Sequence, residues 1–257
     1  MFLMKRIILL LILLGFTASL TFAAETATQE AGKRYDGVWF LGFNLNQPIF
    51  KGKSGLLLRQ AISTAIDKKY ITYKVIGDSI VPTGAIPPGM SGYDEKLAGY
   101  PYDVPAAKKL LKSAGYSPSD KRIKQFTFGH TDGKKTVEIA KVIENQLTQL
   151  GIKVKREQIT YDEEQRWEQA LIAGKFDMFL MGYKATNPED TVTLISPLFA
   201  KDGAANMTFY RNPQVDTLLS QVAETPILTE REIRLKEINQ AITLDCPTVN
   251  LFYITIL

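Results

Sequence analysis

Between residues 38 and 183 the chain alternates apolar runs of strand length with amphipathic stretches of helix length, which restricts it to a layered α/β architecture. Strands are predicted over 38–46, with Trp39, Phe40, Leu41 and Phe43 as apolar content, and over 125–129, 152–159 and 176–183. Helices are predicted over 59–67, where Leu58, Ile62 and Ala65 share a face, and over 68–76, closed by Gly77. Asp103 is positioned to cap another helix, with Pro105 in its first turn and Ala106, Ala107, Leu110 and Leu111 inward, stopping at 114–116. A longer one over 135–150 buries Val137, Ala140, Ile143 and Leu147 and ends at Gly151. The last lies over 161–173, where Asp162, Glu163 and Glu164 read as a first turn whose carboxylates complement the helix dipole. Strands spaced by helices of this length imply partly parallel pairing. Residues 81–102 carry Pro82, Pro87, Pro88 and Pro101, which remove backbone donors and predict an ordered extended loop.

The amino-terminal residues have a different character. Lys5 and Arg6 precede an apolar run at 7–14 and small residues ending at Ala23, the order of a secretory signal. An uncleaved membrane anchor is the competing reading, because residues 15–24 stay mostly apolar. Residues 24–37 read as a linker. Without residues 1–23 the formal net charge falls from +4 to +2, which gives no electrostatic case for nucleic acid. Cys246 is the only cysteine, so neither an internal disulfide nor a lipid acceptor near the cleavage point is available.

Catalysis finds little support. The sole histidine, His130, stands before Asp132 and Gly133 and reads as a solvated loop residue. Neither Ser63 nor Ser196 lies in a glycine-flanked nucleophile elbow. One histidine and one distant cysteine supply no metal cluster, so no catalytic residue, metal or cofactor is expected.

Five stretches carry a resemblance. RQAISTAID at 59–67, Pro-Pro-Gly at 87–89, YDVPAAKKLLKSAGY at 102–116, FDMFLMGY at 176–183 and YRNPQVDTLL at 210–219 occur in this order. Together they resemble the family 5 extracellular solute-binding proteins, the peptide, dipeptide and nickel receptors of ABC importers. The resemblance implies a periplasmic-binding-protein-like (type II) fold of two lobes. Residues 38–257 would be the carboxy-terminal lobe, a mixed sheet flanked by helices, truncated at both ends and lacking the amino-terminal lobe. It also implies a periplasmic or extracytoplasmic location, an ABC-transporter permease as partner, and a peptide or other small solute as ligand. A secreted or anchored protein-interaction module that has lost transport is the alternative.

The strand at 176–183 leads into a loop at 183–190, where layered α/β folds place their ligands. Tyr183, Lys184, Thr186 and Asn187 are the candidate ligand-binding residues. Tyr183 matches the family's tryptophan or tyrosine and reads either as a stacking platform or as a core aromatic. Thr186 departs from the aspartate of many peptide-binding relatives, which pairs with the ligand's amino terminus; threonine cannot neutralise an ammonium. Glu189 and Asp190 either replace that charge or cap the helix carrying Leu194, Ile195 and Leu198. The apolar strand at 250–257 is expected to need a partner from outside the lobe.

Overall fold

In the computed structural model, which describes residues 33–160 and 164–256, the strand-length runs assemble into a five-stranded mixed sheet. Tyr35–Thr255 form one compact unit. The strands are β1 (Tyr35–Phe43), β2 (Phe126–Thr131), β3 (Val154–Ile159), β4 (Met178–Lys184) and β5 (Thr248–Thr255), in the spatial order β3-β2-β4-β1-β5. β2 pairs in parallel with β3 and β4, whereas β1 pairs antiparallel with β4 and β5. The carboxyl ends of β2, β3, β4 and β5 therefore gather at one end of the sheet, together with the amino end of β1. β1 starts at Tyr35, so its first residues come from the stretch read as linker.

Side-chain alternation divides the sheet between two cores. Leu41, Phe43, Phe128, Met178 and Leu180 face one layer, formed by α1 (Gly52–Ala65), α2 (Val104–Ser113) and α3 (Lys134–Leu147). Val38, Phe40, Phe179 and Tyr253 face the other. That layer is built from α5 (Val192–Phe199), α6 (Pro213–Glu224) and α7 (Leu228–Asp245), with Leu171 of α4 (Glu164–Ile172) joining the same core. A sheet covered on both faces buries its strands fully, and this is why β1 and β4 read as near-continuous apolar runs.

Local chemistry sets the helix ends. Asp103 accepts a hydrogen bond from the Ala106 amide at 2.8 Å, and Gly115, at φ +84°, closes α2 in a conformation costly to residues with a Cβ. The α3 stripe buries Ala140, Ile143 and Leu147 as predicted, with Ile139 added and Val137 only half-buried. After α1, Lys68–Tyr70 forms one helical turn that widens into a π-helix over Ile71–Ile76 and ends at Gly77. Residues 81–102 form the extended loop that the prolines predict, pinned where Asn239 accepts from the Ala85 amide (2.9 Å) and donates to the Gly92 carbonyl (3.2 Å). The predicted signal at 1–23, and the Asp162 and Glu163 carboxylates, lie outside the described residues.

One expectation is overturned. The terminal apolar strand does not wait for an outside partner: β5 pairs with β1 along its length, Val38 opposite Tyr253. Its other edge is occupied too, because Thr72 Oγ1 donates to the Leu251 carbonyl (2.8 Å) and Ser79 Oγ to the Tyr253 carbonyl (2.6 Å). Hydroxyls from the π-helix and its exit thus satisfy carbonyls that an open edge would present to another chain.

Candidate ligand-binding site

The loop after β4 leaves the sheet at the end where the strand carboxyl ends converge. Its first residues are tied to the amino end of β1: the Ala185 amide donates to the Asp36 carbonyl at 2.7 Å, and Lys184 Nζ lies 2.9 Å from Asp36 Oδ2. Asp36 is 5% exposed, so the ion pair offsets the burial of its carboxylate.

The rest of the loop folds onto the start of α5. Thr193 Oγ1 has the carbonyls of Asn187 (3.0 Å) and Asp190 (2.8 Å) within reach of its single proton and accepts from the Asn187 amide (3.1 Å). Asn187 Oδ1 takes the Glu189 amide at 3.1 Å. Asp190 Oδ1 accepts from the Val192 amide at 3.1 Å and lies 3.7 Å from Arg231 Nη2, so its charge serves the helix start. Thr191 Oγ1 reaches the Ser91 carbonyl at 2.7 Å, fastening the loop to the 81–102 segment.

Against this frame the four candidate residues differ. Tyr183 is half-buried and packs at the border of the second core, which leaves part of its ring outward. Thr186 and Asn187 are exposed. Lys184 is exposed along its stem, but its ammonium is committed to Asp36.

Three further residues at this end escaped the sequence reading. His130 is buried on β2, contrary to the expected loop histidine, because the strand runs two residues further than predicted, to Thr131. Its Nδ1 lies 2.8 Å from the Thr131 carbonyl, a contact that places the proton on Nδ1 and leaves Nε2 an acceptor. Burial pushes the imidazole below its ordinary pKa, and the Thr131 contact opposes this. Trp39 stacks on Phe252 with ring centroids 5.9 Å apart, and Gly182, directly opposite on β4, leaves room for the indole. Asp36 Oδ1, Trp39 Nε1 and His130 Nε2 are buried and find no hydrogen-bond partner among the described residues. Unmatched buried polar atoms are uncommon in folded proteins. Trp39 and His130 lie on the face of the first core, opposite to that of Tyr183, on strands separated by β4.

Residues 12–206 match the family model for bacterial extracellular solute-binding proteins, family 5 Middle. The chain belongs to this family. Its curated relatives include the glutathione-binding protein GsiB of Pectobacterium atrosepticum, 30% identical over 221 residues, a match covering 82% of this chain and 41% of that protein. GsiB of Escherichia coli (strain K12) is 28% identical over 222 residues, again 82% and 41%. The chain thus spans less than half the length of these curated relatives. Among solved structures, the ABC transporter-associated periplasmic binding protein DppA of Helicobacter pylori, in complex with the peptide STSA, superposes with a TM-score of 0.75 at 26% identity, over 87% of this chain and 43% of that one. The oligopeptide-binding protein AppA of Bacillus subtilis, in complex with a nonapeptide, gives 0.72 at 23% identity over 86% and 45%, a likeness of fold. An α/β mixed sheet flanked by helices and matching under half of such proteins is one lobe of the two-lobed family fold.

Proposed function

We propose that this chain is one lobe of the substrate-binding component of an ABC importer, taking a short peptide or peptide-like solute without chemical conversion. The observation that carries this reading is the exit of β4, where half-buried Tyr183 and exposed Thr186 and Asn187 stand at the end of the sheet at which the strand carboxyl ends converge. An aromatic ring next to polar side chains that can both donate and accept suits an amide-rich ligand, which presents both kinds of group. Family membership supports the solute-receptor role, and the names of the relatives, glutathione-binding and peptide-bound, support the ligand class.

Thr186 supplies no charge for a solute ammonium. Asp36, whose backbone carbonyl holds Ala185 beside Thr186, is buried and already paired with Lys184, so the loop meets a solute through neutral polar contacts. Tyr183 offers a ring face to the solute, and Thr186 and Asn187 offer polar contacts at the rim. A small-molecule pocket buries roughly 70–90% of its ligand, and one lobe supplies one wall, so tight binding requires the amino-terminal lobe and delivery requires the permease. The charged start and apolar run at 5–14 support export to an extracytoplasmic compartment, and sequencing of the exported protein should find a start near Ala24.

Titration calorimetry with di- and tripeptides, glutathione included, tests the binding reading. The chain alone should bind in the millimolar range, and Tyr183→Ala and Thr186→Ala should each weaken binding about tenfold, the effect of losing one good contact. Binding by none of these peptides, or binding untouched by both substitutions, sinks it.

A further inference from the structure

A cavity of about 660 Å3 opens on the outer side of β5, between the carboxyl ends of α1 and α7 and the 81–102 loop. It is remote from the Tyr183 loop. Val38 pairs with both Tyr183 and Tyr253, so Tyr253 marks the level of that loop on β5. Thr248 and Asn250, which line the cavity, precede Tyr253 by five and three residues. At about 3.3 Å per residue this is roughly 10–17 Å along the strand, with two strand spacings across the sheet in addition.

The wall is mainly apolar, from Val81, Pro82, Leu97 and Ile242, with Lys68 set into it. Lys68 is 9% exposed, and its ammonium donates to the carbonyls of Ser63 (2.7 Å) and Tyr100 (2.6 Å). An ammonium has three N–H groups, and no carboxylate lies within ion-pair distance of Lys68 among the described residues. Asp67 also lines the cavity, but its Oδ1 accepts the Tyr70 amide as a helix cap. With Lys69 at the rim, the lining carries one net positive charge. Buried charges are ordinarily paired, and an unpaired ammonium in an apolar wall is a poor structural solution but a good anion anchor. The size falls within the roughly 300–1,000 Å3 of small-molecule sites.

We propose that this cavity is a second binding site, taking a small monocarboxylate with an apolar body: the carboxylate accepts from Lys68 and the body packs on Val81, Pro82, Leu97 and Ile242.

Calorimetry of the full chain with hexanoate and with hexanamide, its uncharged counterpart of similar shape, tests this. Hexanoate should bind with one-to-one stoichiometry and hexanamide at least about tenfold more weakly, the worth of one charge-assisted hydrogen bond. Lys68→Met should abolish the discrimination. Ala98→Trp, at the exposed mouth, should block both ligands while leaving Lys68 and the core intact, with the circular-dichroism melt as folding control. Tyr183→Ala should change nothing, which separates this site from the peptide surface. Equal binding of acid and amide, hexanoate binding that survives both Lys68→Met and Ala98→Trp, or no binding at millimolar concentration overturns the proposal.

Discussion

The indole of Trp39 lies across Gly182, its partner in the β1–β4 register, so closely that a Cβ on Gly182 would overlap the ring. The glycine is there for the tryptophan. Gly182→Ala should displace the indole from its stack on Phe252 and destabilise the lobe by about 1–3 kcal/mol, the usual cost of overpacking. In a Trp167→Phe background the fluorescence of Trp39 reports the displacement and urea denaturation the cost. Unchanged emission and stability would mean that the ring has a second comfortable position.

Lys68 ties stability to alkaline pH. Burial pushes its pKa down to about 8 from 10.5, with Cys246 and Asp67 opposing the shift. Between these values the unfolded chain binds the proton and the folded chain does not, so stability rises with pH across the window. Burial also pushes the Cys246 thiol and the Tyr100 hydroxyl up to about 12, and both act in the opposite sense at higher pH. The comparison with Lys68→Met isolates the lysine: wild type should gain about 3 kcal/mol on the variant from pH 8 to 10.5 in urea titrations. Parallel curves would place the ammonium in water.

His130 acts at the acid end. Its pKa is held below 6.5, first by desolvation, with nearby Arg156 also lowering it and Glu144 raising it. The unfolded chain therefore takes up a proton that the folded chain refuses as the pH falls below 6.5, and stability declines there. His130→Gln should remove that part of the decline while leaving stability at pH 8 within about 1–2 kcal/mol of wild type. A proton-detected titration of the imidazole provides the direct measurement, and an ordinary pKa would contradict the burial.

The covered edge of β5 makes a further prediction. Thr72→Val and Ser79→Ala should each cost about 1–3 kcal/mol by leaving a buried carbonyl unmatched. Together they should raise concentration-dependent association, read by light scattering, because the edge is then free to pair. Deleting residues 248–257 should unfold the lobe, since β1 loses a neighbour over its whole length.

What the sequence determined by itself was local. The alternation of apolar runs and amphipathic stretches was enough for a layered α/β lobe, and Asp103, Gly115, Gly151 and the prolines of 81–102 marked their boundaries, because capping and backbone torsion depend on neighbours within a few residues. The Tyr183 loop was legible in the same way, as the exit of an apolar strand. What only the tertiary structure decided were relations between residues far apart in the chain. Thr72 meets Leu251 and Ser79 meets Tyr253 across more than 170 positions. Asp36 and Lys184 meet across 148 positions because β1 runs against β4. Lys68 has no acid partner only because the fold carries its side chain between two carbonyls and into an apolar wall. Strand order and burial are set by how whole elements share the two cores, and a free energy spread over many distant contacts leaves no mark at any single position.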